Sequence, residues 1–312
     1  MRRILLIGKN GQVGWELERT LAPLGKVIAV DRKVVDLARA DTIVAAIREV
    51  KPDIIVNAAA YTAVDKAESE PELAMSVNGI APGVMAEEAR RLDALLVHYS
   101  TDYVFDGAKN GGYTEQDAPN HQSIYGKTKL AGEQAIQAVN GPHLILRTSW
   151  VYGGRGKNFL RTTLRLAQER DELKIVDDQI GAPTWSRMIA EATALMLGRI
   201  SPFLAPGSPL LIELGGIYHL TSAGRTSWFG FARAIVEHAA HQGAGFSPRI
   251  LPIPTTEYPL PAARPRNSVM SNDKLQNTFG LSLPDWRTAL ELCLDEMEYP
   301  AIQPCIIAKA RE

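Results

Sequence analysis

The sequence predicts an α/β protein with a Rossmann-type, doubly wound parallel sheet and a smaller mixed α/β lobe. Three observations predict it. Short apolar runs alternate with helical patterns through the first half, the mark of parallel strands joined by helical crossovers. The first of these runs passes through a glycine turn directly into a helix. The 312 residues exceed what one core comfortably fills, so two closely joined lobes are expected.

Arg3-Ile4-Leu5-Leu6-Ile7 is long enough for a buried strand and too short for a helix. Gly8, Gly11 and Gly14 then space the turn Gly8-Lys9-Asn10-Gly11-Gln12-Val13-Gly14, and Trp15–Leu21 reads as a helix. Glycines let a backbone turn tightly and approach a pyrophosphate, which sits at the positive end of the helix. The spacing G-x-x-G-x-x-G matches the general dinucleotide fingerprint G-x-G-x-x-G only in part. A second strand, Val27–Val30, ends at Asp31, twenty residues after Gly11, and Arg32 follows. A carboxylate there suits the ribose 2′-OH of NAD and an arginine the 2′-phosphate of NADP, so use of both NADH and NADPH is expected.

Helix Asp41–Val50, strand Asp53–Asn57, helix Pro71–Arg91, strand Ala94–Tyr99, a helix from Tyr125 to Val139 and strand His143–Arg147 continue the alternation. Ligands of such sheets bind beyond the carboxyl ends of the strands. The strand-end segments Asn57–Thr62, Ser100–Phe105 and Thr148–Tyr152 therefore border one cleft. Residues 1–152 are expected to form a dinucleotide-binding domain and 153–312 mainly a substrate lobe, with segments near 214–247 returning to the first. In the second half, helical patterns at Phe159–Arg170, Ser186–Leu197, Trp228–Gln242 and Asp285–Glu298 are separated by stretches such as Ser201–Pro209 and Pro252–Pro265. Thr184, after Gly181-Ala182-Pro183, reads as the N-cap of the helix that follows.

Composition bounds the function. With 46% hydrophobic and 22% charged residues and a net charge of −1, the chain has no electrostatic footprint for nucleic acid. Two cysteines, Cys293 and Cys305, in so long a chain read as free thiols. No apolar stretch approaches a membrane span, and Arg2-Arg3 precedes too short an apolar run for a signal peptide. The expected compartment is the cytoplasm.

Tyr125 and Lys129 stand four apart on a helix, which places a phenol and an ammonium one turn apart on one face. The cation is expected to lower the phenol pKa and make Tyr125 a proton donor. Ser100 and Thr101, where the Ala94 strand ends, supply hydroxyls that can orient a carbonyl. Taken alone, each is an ordinary turn hydroxyl. An orienter, an acid and a cation beside a nicotinamide are the parts that hydride transfer requires.

The ordered set Gly8-x-x-Gly11-x-x-Gly14, Asn57-Ala58-Ala59-Ala60, Ser100-Thr101-Asp102-Tyr103-Val104-Phe105 and Tyr125-x-x-x-Lys129 resembles the extended short-chain dehydrogenases/reductases. Within them, Tyr61-Thr62-Ala63-Val64-Asp65, Arg147–Tyr152, Asp178–Thr184 and Arg264–Ser268 make the chain similar to the dTDP-4-dehydrorhamnose reductase family from its first strand to its last helix. The resemblance implies reduction of the 4-keto group of dTDP-4-dehydro-L-rhamnose by NADPH or NADH. It also implies Gly8, Asn10, Gly11, Gln12, Val13, Gly14, Asp31, Arg32, Ala58, Ala59, Ala60, Ser100, Tyr125 and Lys129 as cofactor contacts. Thr101 would orient the keto oxygen, Tyr125 protonate it and Lys129 hold the nicotinamide ribose. Val64, Thr101, Asp102, Tyr103, Tyr125 and Trp150 would surround the sugar, with core packing the equal alternative for Trp150. Arg264 and Arg266 fit phosphate oxygens, or are solvated surface groups. Some family members hold Mg²⁺ through glutamates at a homodimer interface. Glu16, Glu191 and Glu296 stand at the comparable positions, where a wet helix face is the other reading.

Two rival functions remain at this stage. A nucleotide-sugar epimerase or dehydratase shares the scaffold, but dehydratases carry a glutamate directly after Thr-Asp, where this chain has Tyr103. A non-catalytic, NADP-binding regulatory subunit of another enzyme would not require Thr101, Tyr125 and Lys129, all of which are present.

Overall fold

The computed structural model describes residues 1–200, 211 and 213–297. The stretch Ser201–Pro209, Glu298 at the end of the last expected helix, and Cys305 lie outside the described residues. Strands β1 (Arg3–Ile7), β2 (Lys26–Val30), β3 (Ile54–Asn57), β4 (Leu95–Thr101) and β5 (His143–Thr148) join the strand Gly216–His219 in one six-stranded sheet. Every pairing in it is parallel, and its order is Gly216–His219, β5, β4, β3, β1, β2. The chain leaves β1 in one direction to β2 and in the other through β3. The β1–β3 border is therefore the switch point where such sheets open a crevice.

Successive side chains of a strand face opposite sides of a sheet. Ile4 and Leu6 of β1 enter one core with Leu17, Ile189 and Leu197, whereas Leu5 and Ile7 enter the other with Ile43, Ile47 and Met85. Both faces are covered, which is why these strands read as continuous apolar runs. Helix α1 (Gln12–Thr20) packs on α8 (Ser186–Ile200) on the first face, and α2 (Ala40–Val50) packs on α5 (Ala81–Arg91) on the second. Segments after residue 152 thus return to the large sheet through α8 and the strand Gly216–His219. A separate core gathers Tyr152, Leu160 of α7 (Phe159–Glu169), Trp185, Phe231, Trp286 and Leu290, beside a parallel pair of strands, Glu172–Val176 and Arg249–Ile253.

The expected Pro71–Arg91 helix is continuous but contains a π turn, Ser76–Ile80, between α4 (Pro71–Met75) and α5. A one-turn helix, α3 (Val64–Ala67), precedes it. Strand β4 runs two residues beyond its expected end and carries Ser100 and Thr101 within it. Helix α6 (Ile124–Val139) starts on a Ser123 cap whose hydroxyl accepts from the Gly126 N–H at 3.2 Å. Thr184 is not a helix cap. It lies in the short strand Thr184–Trp185, and its hydroxyl donates to the Ala182 carbonyl (3.0 Å) and accepts from the Ser222 N–H (3.2 Å). Among the described residues no helix is long and apolar enough to cross a membrane.

Candidate active site

A cleft of about 710 Å³ opens at the switch point, between the glycine turn, the ends of β3 and β4, and the start of α6. Gly8 has φ +95°, and a Cβ there would lie 2.8 Å from the Ala59 nitrogen. A Cβ on Gly14 would lie 2.1 Å from the Gly8 carbonyl oxygen. Gly8 thus permits the turn, while Gly14 brings α1 against it and does not itself line the cleft. Gly11 caps α1 without any side-chain hydrogen bond, and Asn10, Gly11, Gln12 and Val13 line the opening. A helix end with open N–H groups suits an anion.

At the far rim the Asp31 carboxylate accepts from the Lys33 N–H at 3.0 Å and from the Asn10 amide at 3.5 Å. The Lys33 N–H is the main influence holding its pKa below the ordinary value. Arg32 leans toward Asp36 at 3.5 Å and is largely exposed. Ala58, Ala59, Ala60, Ser100 and Thr148 line the inner wall. The hydroxyls of Ser100 and Thr148 are buried there with no protein partner. Unsatisfied hydroxyls aimed at a glycine-cradled cleft are what a polar ligand such as a dinucleotide would complete, so these residues fit that cofactor.

Tyr125 and Lys129 enter the same cleft from α6. Lys129 is 2% exposed, and its Nζ donates to the Tyr99 carbonyl at 2.6 Å and meets His98 Nε2 at 3.2 Å. Burial pulls its pKa down to about 8. Tyr125 does not show the lowered pKa expected of it. Burial pushes the phenol up to about 12, against the lowering influence of the Thr101 hydroxyl. The ammonium one turn away is committed to β4 and exerts no comparable effect.

Thr101 Oγ1 donates to Asp102 Oδ1 at 3.0 Å and accepts from the Tyr103 N–H at 3.2 Å. Burial raises the Asp102 carboxyl to about 6, against the lowering influence of the Ser268 and Thr101 hydroxyls. The Tyr103 ring meets Tyr125 edge-on, with centroids 5.3 Å apart. Val64 opens α3 beside Asp65, whose carboxylate accepts from Arg264 at 2.7 Å and from the Ala262 N–H at 3.2 Å. Arg264 also donates to the Ala262 carbonyl at 2.9 Å and so straps the proline-rich segment to the β3 loop. Arg266 is exposed, with its carbonyl accepting from the Ile180 N–H at 2.8 Å. Trp150 has φ +49° and stacks on Trp228 with centroids 3.6 Å apart and planes 7° apart. Gly181 makes room for its other side, since a Cβ there would lie 2.5 Å from the indole. Packing accounts for the Trp150 ring, and the residue stays only half-buried.

The chain matches, over residues 1–299, the family described as RmlD substrate binding domain. It is 52% identical over 299 residues to a dTDP-4-dehydrorhamnose reductase of Burkholderia thailandensis, covering 95% of this chain and 99% of that one. The chain belongs to the dTDP-4-dehydrorhamnose reductase family. A member from Escherichia coli K12 is 45% identical, with 94% of this chain and 97% of that one covered. A crystal structure of the Bacillus anthracis dTDP-4-dehydrorhamnose reductase, in complex with NADP, superposes with a TM-score of 0.84 at 36% identity, covering 95% of this chain and 99% of that one.

The glutamates that the family resemblance marks for Mg²⁺ do converge, but around a guanidinium. Arg187 pairs with Glu16 at 3.2 Å and with Glu296, and its charge also acts on Glu191, whose carboxyl burial holds above its ordinary value. Among the described residues no group of three or more His, Cys, Asp or Glu is arranged to hold a metal ion. With a cation already built in, this set does not fit Mg²⁺. Other partners could not be read from the motifs. Thr148, Asp65 and Ser268 lie inside the family motifs but had no role read for them, and Trp228 reaches the site from a position that no motif marks.

Proposed function

We propose that this protein reduces the 4-keto group of dTDP-4-dehydro-L-rhamnose to dTDP-L-rhamnose, using NADPH or NADH. The observation that carries the reading is the placement of Tyr125 and Lys129 in the glycine-cradled cleft, with the Thr101 hydroxyl acting on the Tyr125 phenol, in a chain 52% identical to a named reductase. When bound, the nicotinamide supplies the hydride to the keto carbon. Thr101 orients the keto oxygen, and Tyr125, a neutral phenol throughout the working range, gives that oxygen its proton from Oη. Lys129 offers N–H groups to the ribose, and Ser100 and Thr148 offer hydroxyls to the same cofactor. Asn10 to Val13 hold the pyrophosphate, and Asp31 and Arg32 share recognition of the adenosine ribose. Val64, Asp102, Tyr103 and the open edge of Trp150 flank the sugar, with Arg266 toward the diphosphate. Tyr103, standing where a dehydratase needs a carboxylate, supports reduction.

We place the enzyme in the cytoplasm, with no nucleic-acid partner, and assign cofactor binding mainly to residues 1–152 and sugar binding mainly to 153–312. The test is oxidation of NADPH with dTDP-4-dehydro-L-rhamnose and identification of the sugar formed. One dTDP-L-rhamnose per NADPH is expected. Tight NADPH binding without turnover of any dTDP-sugar would sink the reading and favour a regulatory subunit. With Asp31 and Arg32 both at the rim, kcat/KM for NADH and NADPH should lie within about a thousandfold, roughly 4 kcal/mol.

A further inference from the structure

The loop 153–158 reaches the cleft although no sequence motif includes it. It leaves the short strand Val151–Tyr152 and runs into α7. Two of its residues are set against one side chain, Gln12, in the first turn of α1. Asn158 Nδ2 donates to Gln12 Oε1 at 2.7 Å, and also meets the Gly153 and Arg155 carbonyls at 2.8 and 3.0 Å. Asn158 Oδ1 accepts the Arg161 N–H at 3.0 Å and so caps α7. Gly156 has φ +73°, and a Cβ there would lie 3.3 Å from Gln12 Cγ. The residue between these two anchors is Lys157.

Lys157 lines the cleft together with Gly156, Gln12 and Val13. It is exposed, and among the described residues its side chain makes no ion pair or hydrogen bond. The neighbouring cations are each engaged. Arg155 lies over the Trp15 ring, 4.2 Å from its centroid. Lys129 donates to the Tyr99 carbonyl, and Lys9 lends its charge to Asp31. The diphosphate of a dinucleotide carries a negative charge on each phosphate. The open N–H end of α1 offers only about half an elementary charge in return. No acidic residue stands in the first turn of α1 to oppose such a ligand. Most of the ligand charge is thus left for a side-chain cation, and Lys157 is held at that helix end with no partner of its own.

We propose that Lys157 is a diphosphate contact of the cofactor, brought to the glycine turn by the packing of Gly156 and Asn158 on Gln12. The loop leading into the smaller lobe thereby adds a positive charge that the turn's own residues do not direct at the diphosphate. The 2′ position of the adenosine ribose is left to Asp31 and Arg32, since Asn10, and not Gln12, is the residue of the turn that meets Asp31. The inference rests on reading the cleft as the NADPH site, but its test needs no turnover and separates the two.

The experiment is fluorescence titration of NADPH and of NADH into the parent protein, Lys157→Ala and Lys157→Arg. At low salt Lys157→Ala should weaken both nucleotides by the same factor, about threefold to tenfold, as expected of one exposed charge-assisted contact. Lys157→Arg keeps the charge and should bind both nearly as the parent does. Raising the salt to about 0.5 M should narrow the gap between the parent and Lys157→Ala, because an exposed charge is screened. The Tm of the cofactor-free protein should be the same in all three, since the Lys157 side chain has no partner to lose. A loss confined to NADPH would put Lys157 at the 2′-phosphate and overturn the proposal. So would a Lys157→Ala protein that binds both nucleotides as tightly as the parent, or a Lys157→Arg protein as weak as Lys157→Ala. A parent protein that binds neither nucleotide overturns the reading of the cleft itself, and this contact with it.

Discussion

Tyr125 meets the needs of a reductase differently from the way its spacing to Lys129 suggests. A phenol at about 12 is fully protonated at neutral pH, which is the state a proton donor requires. Tyr125→Phe keeps the ring against Tyr103 and removes only that proton. Its kcat should fall by about a hundredfold or more, with NADPH affinity by fluorescence titration little changed, and a near-normal kcat refutes the assignment. Asp102 carries a second prediction. Its folded-state pKa of about 6 lies above its unfolded value, so its contribution to stability is complete below about pH 4 and lost as pH rises through about 6. At pH 7 to 8 its ionised form should cost about 1–3 kcal/mol. Asp102→Asn should therefore raise Tm at neutral pH, with the gain vanishing below about pH 4 as activity falls across the range. A variant less stable than the parent at neutral pH counts against this account. The spacing of Tyr125 and Lys129 was legible because it is one helical turn. The pKa values were not, because burial is set by chain segments distant in sequence.

At the scale of elements, helices and strands were legible where periodicity or apolar runs are local, as in β1, α2 and α6. The π turn at Ser76–Ile80 was not, since its residues continue a helical pattern. Its role is in the packing. Asn78 in that turn accepts the Tyr61 N–H at 2.9 Å and donates to the Tyr61 carbonyl at 3.0 Å and to Thr128 Oγ1 at 3.3 Å. One side chain thereby ties the β3 loop to the helix that carries Tyr125 and Lys129. The close approach depends on Gly132, where a Cβ would lie 2.1 Å from the Asn78 carbonyl oxygen. Backbone cannot swing aside as a flexible side chain does, so Gly132→Ala must push α6 away from the turn. A loss of about 1–3 kcal/mol is expected, read as a Tm lowered by about 2 °C or more together with a reduced kcat/KM. Unchanged values of both would show that the helices can separate without cost.

At the scale of the whole molecule, the contacts that join distant parts of the chain were the least legible. Asp65 and Arg264 are 199 positions apart, and no periodicity relates them. The same holds for Arg187, which stands on α8 between Glu16 of α1 and Glu296 beyond the last described helix. The family pattern singled out Glu16, Glu191 and Glu296, but no motif disclosed the guanidinium that pairs with Glu16 and Glu296. Two opposite expectations follow from a cation supplied by the chain and one supplied by solution. With Arg187 in place, EDTA should leave both turnover and Tm of the wild-type protein unchanged. Arg187→Ala should instead leave like charges facing one another across α1, α8 and the cap of the helix Trp286–Asp295. Stripping one partner from a partly buried ionic cluster costs more than the pair contributed. The variant should lose about 1–3 kcal/mol and show a lower Tm. If EDTA abolished wild-type activity and Mg²⁺ restored it, the arginine would not be the cation on which this junction depends.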